Sequence, residues 1–127
     1  MIKQIFIFLL GIVSSIIISF IVYYIYESNR VDVERINNAQ ILNDIYHFRE
    51  SVDKNILNNK PIAIQKYVDE EAKKISPGLK FLEINEEGVL FIKTANTLIT
   101  LRPILENGNV SWRCLGGDDR YISASCR

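Results

Sequence analysis

From Ile5 to Tyr26 there are 22 consecutive residues without a charge, and this run limits what the rest of the chain can be. Only Gly11, Ser14, Ser15 and Ser19 dilute its apolar and aromatic side chains. As a helix rising about 1.5 Å per residue, it is roughly 33 Å long, enough to cross a bilayer core of about 30 Å. Beyond it lie about 100 residues, room for one compact domain and not two. A soluble cytoplasmic enzyme is disfavoured from the outset. Of the 127 residues, 15 are basic and 15 acidic, so no basic excess is present to attract nucleic acid.

The competing reading of the first segment is a cleaved secretory signal, with Lys3 as a short positive region. The run is longer than the usual apolar core of about 7–15 residues, and no small-x-small cleavage site comes after it. The sequence therefore predicts a short tail over 1–4 and an uncleaved transmembrane helix over 5–26. Ile5, Phe6, Phe8, Leu9, Leu10, Ile16, Ile17 and Phe20 supply its membrane- and helix-packing surface, and the lipid bilayer is its first partner. Tyr23, Tyr24 and Tyr26 cluster at the end of the run, where amphipathic rings favour the headgroup layer.

Two signals bear on orientation and they disagree. Lys3 precedes the run while Arg30 and Arg35 lie beyond it, which mildly opposes an external C-terminus. The two cysteines, Cys114 and Cys126, have 11 residues between them, and a bond between them would close a loop worth roughly 3 kcal/mol of chain entropy. Such bonds persist in oxidising compartments such as the bacterial periplasm; the alternative is two free thiols. One or two charges bias a single span weakly, so the cysteines carry more weight.

Beyond the run, Ile41, Ile45, Phe48, Val52 and Ile56 are spaced by four, three, four and four residues, laying one apolar stripe along an amphipathic helix over 27–58. Asn29, Asn37, Asn38 and Asn43 are assigned to its polar sides. Asn58-Asn59-Lys60-Pro61 stops the helix, because the residue before proline avoids the helical region. A connecting segment spans 59–78, with a second short helix predicted from Pro61 to Ile75. There Asp69 with Lys73, and Glu70 with Lys74, form i,i+4 pairs. After Ser76-Pro77-Gly78 the period becomes strand-like. Leu79–Ile84, Val89–Thr94, Leu98–Arg102 and Val110–Cys114 are separated by turn sequences, so 79–127 reads as a four-stranded antiparallel meander covered by the helix stripe. The fold class is α+β.

Nothing in this layout assembles catalytic chemistry. His47 is the only histidine, and without a second one no serine or cysteine has an obvious base. Asp69-Glu70-Glu71 reads as a solvated helix face, since adjacent helical residues diverge. Gly116-Gly117-Asp118-Asp119 falls short of a calcium loop and reads as a tight turn. No phosphate-cradling glycine loop and no CxxC occurs. The expectation is a non-enzymatic protein with no cofactor, no metal site and no nucleic-acid partner.

The C-terminal stretch carries a resemblance. Asn107-Gly108-Asn109-Val110-Ser111-Trp112-Arg113-Cys114 precedes a short loop and then Arg120-Tyr121-Ile122-Ser123-Ala124-Ser125-Cys126-Arg127. This is similar to the ending of type IVa pilins, in which a last strand bearing Trp-x-Cys leads into a loop closed by a second cysteine. Trp112, Cys114, Tyr121, Ala124, Ser125, Cys126 and Arg127 fall in the family's order, with Ser123 where proline is common. The resemblance covers about the last 25 residues in motif and nearly the whole chain in layout. It implies a Cys114–Cys126 disulfide, a long N-terminal helix packed on the sheet, and a single-pass protein of the bacterial inner membrane. The C-terminal part would lie in the periplasm, or on a pilus at the cell surface. Implied partners are other pilins, pilus assembly proteins and further copies through the N-terminal helix.

Prepilins also share a basic leader ending in glycine, then a Phe-initiated helix with glutamate at its fifth position. Here the early glycine is Gly11, cleavage after it would put Ile16 fifth, and no acidic residue precedes Glu27. Three functions stand as expectations. The first is a structural or minor filament subunit serving adhesion, motility, DNA uptake or secretion. The second is an unprocessed accessory or regulatory protein that binds pilins or the assembly platform without entering the filament. The third is an unrelated membrane-tethered periplasmic adaptor.

Overall fold

An uncharged run of this composition satisfies its backbone internally only as a helix, and residues Ile2–Asp44 form one, α1, 43 residues long. The computed structural model describes residues 1–117, 120–122 and 126. These fall into two units, Met1–Val33 and Glu34–Arg127. In the first unit nearly all the large apolar side chains of α1 are exposed, Phe8 to 70% and Phe20 to 71%. By length and composition this helix can cross a membrane.

The second unit has a core. Its helical part is not the single helix expected through 58: α1 stops at Asp44 and α2 runs Tyr46–Leu57, with Ile45 between them. The break is local. Ile45 N–H still reaches Ile41 O at 3.0 Å, but Phe48 N–H closes a tighter turn on Ile45 O, also at 3.0 Å. His47 Nδ1 lies 3.1 Å from the Asp44 carbonyl, a hydrogen bond when that nitrogen carries the proton. The stripe survives the break: Ile41, Ile45, Phe48 and Val52 are buried and Ile56 packs against them. The Asn-Asn-Lys-Pro stop works through a left-handed cap. Asn59 has φ 51°, its N–H donates to Ile56 O at 3.1 Å, and Lys60 N–H reaches back to Asn55 O at 2.8 Å.

The short helix expected over 61–75 is corrected. Gln65–Val68 is a strand, β1, and only Glu70–Ile75 is helical, as α3; Asp69 turns between them at φ 46°. Lys73 pairs with Glu70 at 2.6 Å, an i,i+3 contact in place of the i,i+4 pairs expected. The sheet therefore has five strands, not four, and begins before 79. Its order is β1, β2 (Phe81–Ile84), β3 (Leu90–Lys93), β4 (Leu98–Glu106) and β5 (Asn109–Leu115), every neighbouring pair antiparallel. The α+β class holds.

Register explains the core. Tyr67, Leu82, Ile92 and Ile99 stand opposite one another across β1 to β4, and Ile84, Leu90, Leu101 and Cys114 across β2 to β5. Period-two alternation puts both rows on one face, and they cluster with the helix stripe. Pro103, in β4, lies past the end of β3, where the strand has a neighbour on one side only, so its missing donor is not needed there. Asn107 (φ 51°) and Gly108 (φ 78°) make the two-residue turn between β4 and β5. Gly88 (φ 78°) is required twice over, since a Cβ there would meet Val52 Cγ1 at 2.7 Å.

Candidate functional site

The residues singled out by sequence fall into two groups, one in each unit. In the first unit Ile5, Phe6, Phe8, Leu9, Leu10, Ile16, Ile17 and Phe20 are all exposed on α1. The polar interruptions of this run are accommodated by the helix itself: Ser14 Oγ donates to Gly11 O and Ser19 Oγ to Ser15 O, both at 2.9 Å. Hydroxyls bonded within the helix are compatible with an apolar surrounding, where an unpaired donor would be costly. A Cβ on Gly11 would meet nothing within 4 Å, so within the single chain nothing demands glycine there.

The second group is the C-terminal segment. Cys114 on β5 and Cys126 are joined, with Cα atoms 5.3 Å apart. Cys126 and Ile122 are buried in the core cluster. Two side chains of α1 hold the intervening backbone: Arg35 Nε donates to Arg120 O and Asn38 Nδ2 to Tyr121 O, each at 2.7 Å. Placing Asn38 on a polar helix side is therefore corrected; it is 4% exposed. It precedes Ile41 by three residues and Ile45 by seven, so it lies on the buried stripe. A carbonyl brought against this stripe needs a donor, and the amide supplies it. Tyr121 thus enters through its backbone, while its ring lies under the Arg120 guanidinium at 5.5 Å. Ser123, Ala124, Ser125 and Arg127 of the motif, and Asp118 and Asp119 of the expected turn, lie outside the described residues.

Trp112 anchors β5 to α2. Its Nε1–H donates to Asp53 Oδ1 at 2.8 Å, and the Arg49 guanidinium lies over its ring at 5.2 Å and over Tyr46 at 5.9 Å. Arg49 Nε is buried without a hydrogen-bond partner among the described residues, which suits a cation held by ring faces more than by acceptors. Sequence reasoning found Trp112 and the cysteines but missed Arg35, Asn38, Arg49 and Asp53. For Asn38 a signal existed in its stripe position. The other three depend on contacts 59 to 85 residues away along the chain, or on ring stacking, with no local signature.

His47 is exposed, its ring 4.0 Å from that of Phe48. Among the described residues no group of three His, Cys, Asp or Glu side chains converges to hold a metal ion. Compared with protein-family models, with curated proteins and with solved structures, the chain gives no match.

Proposed function

We propose that this is a non-enzymatic, membrane-anchored pilin-like protein, a structural or minor subunit of a type IV pilus or a related filament. The observation that carries the reading is the closed C-terminal segment. A Trp-x-Cys strand ends an antiparallel sheet, the second cysteine bonds back to it, and α1, the helix that begins with the uncharged run, supplies the donors that hold the segment. An apolar helix of this kind is soluble in lipid and equally so among like helices, since the two surroundings are similarly apolar and packing decides between them. In this reading Ile5, Phe6, Phe8, Leu9, Leu10, Ile16, Ile17 and Phe20 meet lipid during storage and neighbouring subunits after assembly. The disulfide-closed segment makes the contacts outside the membrane, on the periplasmic side or at the cell surface.

A second reading is favoured by one feature of α1. No carboxylate occurs before Glu27, so the apolar run offers no counter-charge to a neighbouring subunit's amine. A chain of this kind acts as an accessory or regulatory protein, engaging pilins or the assembly platform through α1 without joining the filament. Intact mass separates the two. Measured on membranes and on sheared filaments, a species in the filament fraction supports the subunit reading. A full-length species confined to membranes refutes it and leaves the accessory role.

A further inference from the structure

In the second unit a cavity of about 310 Å³ lies between α1 and the turn that joins β3 to β4, lined by Glu34, Asn37, Asn38, Asn96 and the Pro77–Gly78 turn. Three features of its lining point one way. Glu34 Oε2 is buried with no hydrogen-bond partner among the described residues. A carboxylate oxygen taken from water without a donor is costly, and a donor brought into the cavity relieves the deficit. Asn38 is almost wholly buried and its amide nitrogen is engaged by the Tyr121 carbonyl, which leaves its amide oxygen as the remaining polar atom. Asn37 and Asn96 add further amide groups, and among the described residues no lysine or arginine lines the space.

Among the described residues the set is rich in acceptors, carries one negative charge, and includes Ile41 and Ala95 as apolar wall. Calcium requires six to eight oxygens and several carboxylates, which one glutamate does not supply. A guanidinium seeks a two-oxygen face of a carboxylate, whereas here one buried oxygen stands alone. A primary ammonium group on an alkyl stem has three donors, no acceptor and a single positive charge, with methylenes to lie along the apolar wall. We infer that this cavity binds a primary alkylammonium group, with Glu34 as its counter-ion and the amide oxygen of Asn38 as a second acceptor. The group comes either from a lysine side chain on a partner protein or from a free small amine. The site does not depend on whether the chain enters a filament.

The test uses the full chain in detergent micelles with two probes, n-butylammonium and the blocked tripeptide acetyl-Gly-Lys-Gly-amide. Saturation-transfer NMR reads binding. n-Butanol, which keeps the stem without the charge, is the control for uptake by the micelle. Saturable binding of at least one probe is expected, with no competition by n-butanol and a loss of about tenfold or more in Glu34→Gln. Glu34→Gln keeps the side-chain shape. Asn96→Ala, which leaves the backbone bond from Asn96 N–H to Thr94 Oγ1 available, serves as a second variant and weakens binding several-fold. Glu50→Gln, on α2, leaves binding unchanged. Tighter binding of the tripeptide assigns the site to a protein-borne lysine, and equal or tighter binding of n-butylammonium to a free amine. Unaltered affinity in Glu34→Gln, or no saturable binding of either probe to the folded wild-type chain, overturns the inference; Trp112 emission reports folding in each sample.

Discussion

Reducing the Cys114–Cys126 bond should change what Asn38 is worth. Ordering Arg120, Tyr121 and Ile122 against the core costs about 3–6 kcal/mol in backbone entropy, at about 1–2 per residue. Against this stand about 2 kcal/mol from burying Ile122 and about 1 from each of the hydrogen bonds donated by Arg35 and Asn38. Without the disulfide these nearly cancel, so docked and loose forms are comparably populated. With it, a closure spanning a sequence separation of 12 removes about 3 kcal/mol of entropy from any loose state, a docking preference of roughly 150-fold.

Asn38→Ala then costs the oxidised protein about 1–2 kcal/mol through this segment. In the reduced protein docking contributes only about 0.4 kcal/mol, the value for an even equilibrium, and no more than that can be lost. Any effect of alanine on the helix or on the surrounding core is common to both redox states and drops out of the difference, leaving a coupling of about 1 kcal/mol. Urea unfolding of the full chain in micelles, followed by the emission of Trp112, the only tryptophan, measures all four values. Trypsin cleavage after the exposed Arg120 should also accelerate on reduction. Equal costs of Asn38→Ala in the two redox states would refute the reasoning, because they would mean that the segment stays docked without its covalent tie.

Gly88→Ala combines a left-handed φ with a Cβ 2.7 Å from Val52 Cγ1 and 2.8 Å from Ile62 Cδ1, so it should destabilise by about 2 kcal/mol or more; a urea midpoint within error of wild type counts against the packing described. The paired change Ile16→Lys with Ile17→Lys adds about 5–7 kcal/mol to membrane insertion. The 15 Ile, Leu, Phe and Val residues of the run favour insertion by about 5–9, so resistance to alkaline carbonate extraction should be largely lost. On α2, the hydrogen bond from Lys54 and then its charge hold the Glu50 carboxyl below its ordinary value of 4.5. Stability from this pair is therefore complete above that value and is lost as pH falls through the lower folded one. Glu50→Gln should lower the thermal midpoint of the second unit slightly at pH 6 and leave it unchanged at pH 2; a constant difference across that range assigns the effect to something other than the ion pair.

The elements legible in the sequence are those whose signal is repeated along the chain. Eighteen branched or aromatic residues within one uncharged run identify α1, and five apolar residues at helical spacing identify the stripe through Ile56. Alternation marks β2 to β4 because each has two alternate buried positions, as Leu82 and Ile84 are, and β5 because half-buried Val110, Trp112 and Cys114 alternate with exposed residues. β1 failed that test. It has four residues, of which Tyr67 alone joins the core cluster, and the acidic and basic residues soon after it belong to a true helix, α3, whose signal was extended back over the strand. It forms because β2 offers an unpaired edge, an influence absent from residues 65–68 themselves. The break at Ile45 is similarly silent, since the stripe continues across it. The cysteine pair and Trp112 were visible as a motif, whereas their supports on α1 and α2 are single polar residues whose partners lie far along the chain.

The two units differ in what completes them. The second encloses a core of apolar residues and closes its C-terminal segment with a covalent bond. The first exposes nearly every large apolar side chain, a state that water penalises at about 25 cal/mol per Å² and that lipid or other helices relieve. Because no charge lies within Ile5–Tyr26 and two of its serine hydroxyls are bonded inside the helix, exchanging lipid for protein breaks no ion pair and strips no charge. In the proposed reading, the balance between membrane storage and assembly is then set by side-chain packing alone, in increments small enough to be reversed. That balance fits a protein whose work is association, and it locates the decisive experiment in the first unit: which neighbours surround α1 in the cell.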